Sequence, residues 1–313
     1  MDHPERPDRV EAVRERLTTA GVLGESVAAR DATDEEILLV HTPAYLELLE
    51  RETAGLSGVR ELSTGDALVD ASSLRAARRA AGGALTAVRA ALDGSQAVFA
   101  LVRPPGHHAE PGRGMGFCLL NNAAIAARAS GRRVLVADFD YHHGNGTEAV
   151  AGEGLSYLST HAAPAYPGTG AHSYRLGDDV VLNVPLPASG VSTEAFVAIW
   201  QFLLPAVARA VEPGLIVVSA GFDYVAGDPV GDLGVGVEAA APIAASVRGV
   251  AETYCGGAAV YVLEGGYRLD AIAQSIASIA AAHDARSGPA SAAEPAAVPA
   301  RLRESVQAFL ELS

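Results

Sequence analysis

Residues 132–148 constrain this chain most, because they join a predicted buried strand to a dense group of ionisable side chains. The segment opens with the apolar run 134–137 (Val-Leu-Val-Ala), which is typical of a strand in a buried parallel sheet. Asp138, Asp140 and His142 follow at a spacing of two, so an extended backbone would point all three to one side. Two glycines then permit a tight loop. The sequence thus predicts carboxylates and an imidazole at the carboxyl end of a strand, where open α/β sheets bind ligands.

These ionisable groups predict a bound cation. Buried carboxylates are costly unless a neighbouring charge compensates them. Asp140 and His142 supply oxygen and nitrogen donors of the kind that a divalent zinc or iron ion accepts. Asp223 follows a later predicted strand and would complete a set of three protein ligands. Such a set leaves one position open for water, which is typical of a catalytic rather than a structural site.

The composition argues against several classes of protein. The 313 residues are 49% hydrophobic and 19% charged, which suits one large globular domain or two small ones. The net charge is −14 and no basic run exceeds two arginines, so we expect no binding to nucleic acid and no membrane partner. Cys118 and Cys255 form no CxxC pair, which argues against a zinc finger or a disulfide framework. The chain shows no signal peptide and no apolar run near ~20 residues, so we expect a cytoplasmic protein.

Apolar segments of strand and helix length alternate from residue 97 to about residue 283, which predicts an α/β fold. The expected architecture is three α/β/α layers around a mostly parallel sheet. Helices are expected over 8–19, from Pro43, and from a cap at Ser72 or Ser73 to residue 92. Segments 52–70 and 161–177 are expected to be loops. The predicted strands are 97–102, 134–139, 155–159, 180–186, 215–219 and 258–263.

Four predicted strands end in unusual polar groups, and parallel strands bring such ends to one edge of the sheet. His107 and His108 follow the first of these strands in a loop rich in proline and glycine. The second of these strands is the central strand, 134–139. Asp223 follows the third strand, and Tyr267 follows the fourth strand after two glycines. Adjacent histidines at a ligand-binding edge favour a catalytic role over a structural one.

Seven motifs occur in order along the chain: 3–7 (His-Pro-Glu-Arg-Pro), 103–108 (Arg-Pro-Pro-Gly-His-His), 116–118 (Gly-Phe-Cys) with 121–122 (Asn-Asn), 138–147 (Asp-Phe-Asp-Tyr-His-His-Gly-Asn-Gly-Thr), 166–170 (Tyr-Pro-Gly-Thr-Gly), 220–223 (Ala-Gly-Phe-Asp) with 227–229 (Gly-Asp-Pro), and 264–267 (Glu-Gly-Gly-Tyr). With these motifs the chain resembles the zinc-dependent histone deacetylase family, in its bacterial class II-like and acetylpolyamine amidohydrolase branch. The resemblance implies an arginase-like fold, with residues 1–285 as the deacetylase catalytic domain. A linker over 286–300 and a C-terminal helix over 301–313 would follow.

The resemblance also implies a role for each polar group at the sheet edge. Asp140, His142 and Asp223 would hold zinc, or ferrous iron in its place. His108 would be the general base, with His107 as its neighbour in a paired arrangement.

Further roles come from the same resemblance. Asp138 would orient His107 and Asn145 would orient His108. Tyr267 would donate a hydrogen bond to the substrate carbonyl. A potassium ion is also implied, bound by the backbone oxygens of Asp138, Asp140 and His142 together with Ser159.

The substrate would enter through a tunnel. Phe117 and Tyr166 would form its walls beside Gly116, and Asp66 would grip the substrate backbone at the rim. Tyr166 stands where the family often has phenylalanine. Val230 occupies the position of an acidic residue in polyamine-selective relatives, which favours acyl-lysine over an acylated polyamine. Tyr141, which polyamine-type relatives share, favours the opposite choice.

Other readings stay open at this point. The family usually has a strand ahead of residues 3–7, and without it one sheet edge would be exposed or covered by a partner chain, as in a homo-oligomer. An arginase-like ureohydrolase would use two manganese ions, whereas the His107–His108 pair and Tyr267 fit one zinc better. A non-catalytic acyl-lysine-binding protein should have lost a ligand or the tyrosine. Protein lysine, a polyamine and a small metabolite all remain candidate substrates.

Overall fold

The structure is a computed structural model that describes residues 3–94, 97–284 and 298–311. In chain order its helices are α1 (Asp8–Ala20), α2 (Asp34–Ile37), α3 (Pro43–Thr53), α4 (Ser73–Leu92), α5 (Asn122–Ala129), α6 (Asn145–Glu148), α7 (Thr193–Val211), α8 (Ala240–Tyr254), α9 (Leu269–Asp284) and α10 (Ala300–Glu311). Its strands are β1 (Arg60–Glu61), β2 (Leu68–Val69), β3 (Ala97–Ala100), β4 (Val134–Asp138), β5 (Leu155–Ala163), β6 (Tyr174–Leu176), β7 (Asp179–Pro187), β8 (Leu215–Ala220) and β9 (Ala259–Leu263).

Seven of these strands form one sheet in the order β3-β9-β8-β4-β5-β7-β6. All neighbouring pairs are parallel except β6 and β7. Every residue of β4, β8 and β9 is buried, as expected for strands that helices cover on both faces. The predicted α/β/α architecture with a mostly parallel sheet is therefore confirmed.

Two segments that were expected to be loops contain strands. Segment 52–70 holds the short antiparallel ribbon of β1 and β2, in which Arg60 pairs with Val69. Segment 161–177 includes the end of β5 and the edge strand β6. The sequence-based expectation was wrong here because β6 has only three residues, and its pairing depends on the distant strand β7.

The helix starts follow the predicted capping chemistry in part. Thr42 accepts a hydrogen bond from the Tyr45 N–H at 3.2 Å and Pro43 occupies the first turn, as predicted. Neither Ser72 nor Ser73 caps α4 in the predicted way. The Ser72 side chain makes no cap hydrogen bond, because both serine hydroxyls donate instead to the Asp70 carboxylate, at 2.8 and 3.1 Å.

Helix α7 forms part of the core, with Phe196, Trp200 and Leu203 fully buried. The Trp200 indole N–H donates to the Thr160 hydroxyl of β5 at 3.0 Å. By length and composition this 19-residue helix could also cross a membrane, which is weak evidence because core helices share these properties. Near the C-terminus, α10 contacts α7 and buries Val306, while the predicted linker lies largely outside the described residues.

Strand β3 lies at one end of the sheet and pairs only with β9 among the described residues. A cavity of ≈ 490 Å³ borders its free side. Segment 22–29, which has no regular secondary structure, lines this cavity together with β3 and parts of α4 and α9. Strand β3 therefore forms one edge of the sheet among the described residues.

Candidate active site

Three side chains converge beyond the carboxyl ends of β4 and β8. A ligand atom from each of Asp140, His142 and Asp223 lies within 4.8 Å of the other two. The His142 Nδ1 is 3.2 Å from Asp140 Oδ1 and 2.9 Å from Asp223 Oδ2. The other oxygen of each carboxylate accepts a backbone N–H group. Asp140 Oδ2 accepts that of Gly265 at 2.8 Å, and Asp223 Oδ1 accepts that of Tyr141 at 2.9 Å. These bonds aim the remaining atoms at one another.

The electrostatics of this triad fit a bound cation. Burial and the neighbouring Asp140 charge raise the pKa of Asp223 to about 6. Burial also opposes ionisation of Asp140, but the charges of His107 and His142 outweigh it and lower the pKa of that carboxyl. Two buried carboxylates this close repel each other, and a divalent ion between them would relieve the repulsion. The two-oxygen, one-nitrogen donor set suits zinc or ferrous iron, so the predicted ligand set is brought together as a possible metal site.

Local turns, rather than a continuing strand, direct the ligands. Strand β4 ends at Asp138, so the predicted period of two does not extend to His142. Instead the Asp140 N–H donates to Asp138 Oδ1 at 3.2 Å, and the His142 N–H donates to Asp140 Oδ1 at 2.9 Å. Each aspartate carboxylate therefore accepts the backbone N–H of the residue two positions later, which forms a turn that aspartate favours.

The adjacent histidines occupy different electrostatic environments. The ring centroids of His107 and His108 are 4.0 Å apart. The His107 Nδ1 donates to Asp138 Oδ2 at 3.1 Å, and the His108 Nδ1 lies 2.9 Å from Asn145 Oδ1, an oxygen that can only accept. Burial opposes protonation of His107, but the charges of Asp140 and Asp138 outweigh it and raise the pKa of this imidazole to about 10.

The surroundings of His108 favour its neutral form. Burial, together with the nearby His107 and His142, lowers the pKa of His108 well below its usual value. Because Nδ1 donates to Asn145, the lone pair of a neutral ring is on Nε2. The His108 ring centroid is 5.9 Å from that of His142, so a neutral base lies beside the triad.

The loop that carries Tyr267 is held in place from two sides. The Tyr267 N–H donates to Asp228 Oδ2 at 2.6 Å. From α1, the fully buried Arg9 donates to the carbonyl of Gly266 at 2.6 Å and to that of Glu264 at 2.5 Å. The Arg9 guanidinium also lies 4.7 Å from the centroid of the Tyr267 ring. Burial raises the pKa of Tyr267 well above its usual value, so its hydroxyl remains a donor.

The sequence carries no signal for Arg9, whereas Glu264 and Asp228 both belong to matched motifs but were given no role. Arg9 looks like an ordinary polar residue of α1, because its partners lie more than 250 residues away. Glu264 is buried, and its Oε2 accepts the N–H groups of Gly106 at 2.6 Å and His107 at 3.1 Å. Asp228 belongs to a matched motif, which was a signal, although no role was inferred for it.

The predicted tunnel walls meet at Gly116. The Phe117 ring is 5.9 Å from that of Tyr267, and the Tyr166 ring stands edge-on to His108 at 5.2 Å. A Cβ on Gly116 would lie 2.4 Å from the His108 ring, so the close approach of this wall requires glycine.

The remaining predicted binding residues lie in three separate segments of the chain. Asp66 belongs to the turn between β1 and β2 and accepts the Gly116 N–H at 2.8 Å. Val230 is half-buried, and its backbone N–H donates to Asp228 at 3.0 Å. Ser159 pairs with Asp138 across β5 and β4, and its hydroxyl is 2.9 Å from His161 Nδ1.

Comparison with known proteins decides the family. A model described as "Histone deacetylase domain" matches residues 3–283. The chain belongs to the histone deacetylase family. Its fold agrees: a crystal structure of the HDA15 HD domain superposes with a TM-score of 0.85 at 33% identity, covering 100% of this chain and 88% of that chain.

Similar deacetylases come from a plant, an archaeon and a human. Histone deacetylase 15 of Arabidopsis thaliana is 37% identical over 294 residues, which are 88% of this chain and 52% of that protein. A probable deacetylase of Archaeoglobus fulgidus is 33% identical over 282 residues, covering 86% and 77%. Polyamine deacetylase HDAC10 of Homo sapiens is 37% identical over 295 residues, covering 87% and 43%. The chain thus spans about half the length of the plant relative and less of the human one.

Proposed function

We propose that this chain is a metal-dependent amide hydrolase that removes the acyl group from an acylated lysine or a related acylated amine. The convergence of Asp140, His142 and Asp223 beside the neutral His108 carries the proposal. Membership of the histone deacetylase family supports it, since its members act on acetylated lysine and are generally zinc-dependent. Zinc is accordingly the proposed metal, with ferrous iron as the alternative.

The proposed mechanism assigns proton transfers to the histidines. A bound divalent ion would polarise the acyl carbonyl and acidify a water molecule. His108 is neutral and bonded to Asn145 through Nδ1, so its Nε2 is free to take the proton of the attacking water. His107 is held in its charged form by Asp138 and lies alongside. A protonated histidine then returns a proton to the leaving amine, which departs poorly without it.

Tyr267 supplies the remaining part of the mechanism. Its hydroxyl stays protonated and would donate to the oxygen on which negative charge develops. Gly265, two residues earlier, donates to Asp140, so the tyrosine loop is attached directly to the ligand set.

For the substrate we propose acyl-lysine in preference to an acylated polyamine. Val230 offers no carboxylate to a distant cationic amine, and it lies at the loop that Asp228 organises. A human relative named polyamine deacetylase is as similar as the plant histone deacetylase, so overall identity does not separate the two classes. Hydrolysis rates on acetyl-lysine peptides, acetylated polyamines and longer acyl chains would decide between them.

Three further proposals accompany this function. A potassium ion would be bound by backbone oxygens of Asp138, Asp140 and His142 with Ser159, and the pairing of Asp138 with Ser159 in adjacent strands supports it. The protein would act in the cytoplasm. A second copy of the chain could cover the β3 edge.

The direct test is hydrolysis of a fluorogenic acetyl-lysine peptide. We expect His108→Ala and Tyr267→Phe each to lower kcat by about 100-fold or more, because each removes a proton-transfer or oxyanion-stabilising group. Matched controls are His172→Ala and Tyr174→Phe, two exposed residues outside the site. Full activity in both site variants would overturn the assigned roles.

A further inference from the structure

One oxygen of the rim carboxylate joins two walls of the site. Asp66 Oδ1 accepts the Gly116 N–H at 2.8 Å and the Tyr166 hydroxyl at 3.2 Å. Gly116 lies against His108, and Tyr166 lies 100 residues beyond Asp66 in the chain. Within the described part of the chain, Asp66 Oδ2 accepts no hydrogen bond. The carboxylate therefore has one oxygen occupied by the protein and one left for another donor.

Tyr166 spans the distance from the reacting centre to the rim. Its ring is edge-on to His108, with centroids 5.2 Å apart at 89°, and lies 6.2 Å from His142. Its opposite end reaches Asp66, in the exposed turn between β1 and β2. Burial and the Asp66 charge raise the pKa of Tyr166, so the hydroxyl stays protonated and can donate. Phenylalanine would form the same wall without reaching the carboxylate.

We infer that Tyr166 is a positioning residue that fixes the Asp66 carboxylate and so selects acyl-lysine within a peptide over small acylated amines that carry no second hydrogen-bond donor. An exposed aspartate in a turn has several accessible rotamers, and two donors on Oδ1 restrict it to one. The fixed Oδ2 then accepts a backbone N–H that flanks the acylated lysine. A neutral acylated monoamine such as N-butylacetamide has neither this N–H nor a second donor, so it gains nothing from the fixed carboxylate. This inference rests on the proposed function.

The test compares kcat/KM for an acetyl-lysine peptide with that for N-butylacetamide, which has the same four-carbon chain and no second donor. We expect Tyr166→Phe to lower the ratio of the kcat/KM for the peptide to that for N-butylacetamide about three- to tenfold, the effect of one hydrogen bond, mainly through a higher KM for the peptide. Asp66→Ala should lower the same ratio at least as far. Adding Tyr166→Phe to Asp66→Ala should then change the ratio no further, because the tyrosine acts through the carboxylate.

The chain offers a close control. The Tyr174 hydroxyl donates to the Glu148 carboxylate at 3.0 Å, and Tyr174 is 37% exposed against 38% for Tyr166. Tyr174→Phe should leave the ratio of the peptide to N-butylacetamide unchanged. An unchanged ratio in Tyr166→Phe, or a further drop when it is added to Asp66→Ala, would overturn the inference. If the unmodified protein hydrolysed no acylated amine at all, the proposed function itself would be wrong.

Discussion

At the scale of single residues, the charge that faces a buried histidine decides its protonation. His107 faces Asp138 and Asp140 and is held charged, whereas His108 faces other imidazoles and is held neutral. The pair therefore offers an acid and a base side by side at neutral pH. His41, which is away from the site, shows the effect of burial without a facing charge, since its pKa is lowered to about 4.

His41 gives a prediction for stability against pH. Its ring is satisfied in the neutral form, since Nδ1 donates to the Glu110 carbonyl and Nε2 accepts the Asn121 N–H. Above pH 6.5 the ring is neutral in both folded and unfolded chains, and below it only the unfolded chain takes up a proton. Stability is therefore lost as pH falls from 6.5 towards 4. We expect His41 to contribute a loss of about 2 kcal/mol between pH 7 and pH 5.

Urea unfolding at both pH values measures this contribution. His41→Gln should reduce the difference in unfolding free energy between pH 7 and pH 5 by that amount, whatever its effect at pH 7. An identical pH dependence in the variant and the unmodified protein would contradict the assignment.

At the scale of elements, α1 supports the tyrosine loop from the opposite end of the chain. Arg9 satisfies the carbonyls of Gly266 and Glu264 and covers the Tyr267 ring. A planar guanidinium can donate to two carbonyls at once, and an ammonium cannot match that geometry. The position of the tyrosine hydroxyl thus depends on a side chain that is not itself assigned to the chemistry.

Arg9→Lys is accordingly expected to lower kcat about tenfold while changing KM little, because at least one buried carbonyl loses its donor and the tyrosine loop shifts. Steady-state kinetics on the acetyl-lysine peptide measure this effect. Arg6→Lys is the control, since the Arg6 side chain is 41% exposed and pairs only with Asp8 in the described structure. An Arg9→Lys enzyme with unaltered kcat would show that the loop holds its position without the guanidinium.

The contrast between β4 and Arg9 shows what sequence could predict. Apolar runs identified β4, β8 and β9, because burial on both faces leaves a local signal in the residues themselves. Motif spacing identified the triad, although the ligands converge through aspartate turns rather than through the extended strand that we expected. Arg9 and Glu264 could not be assigned, because their hydrogen-bond partners are set only by the folded arrangement.

At the scale of the whole molecule, the parallel sheet brings distant segments together at one edge. Strands β3, β4, β8 and β9 run in the same direction, so the loops after them meet. These loops carry the groups of the candidate site. The paired histidines follow β3, Asp140 and His142 follow β4, Asp223 follows β8 and Tyr267 follows β9. Strand polarity thus assembles a site from residues more than 150 positions apart in the chain.

Metal content tests this assembly most directly. The purified protein would be loaded with zinc, desalted and measured for bound metal per chain, alongside Asp223→Ala. We predict one zinc ion per chain in the unmodified protein and loss of that ion in the variant, because two donors cannot replace the three that converge. Two ions per chain, none, or one ion retained by Asp223→Ala would contradict the account.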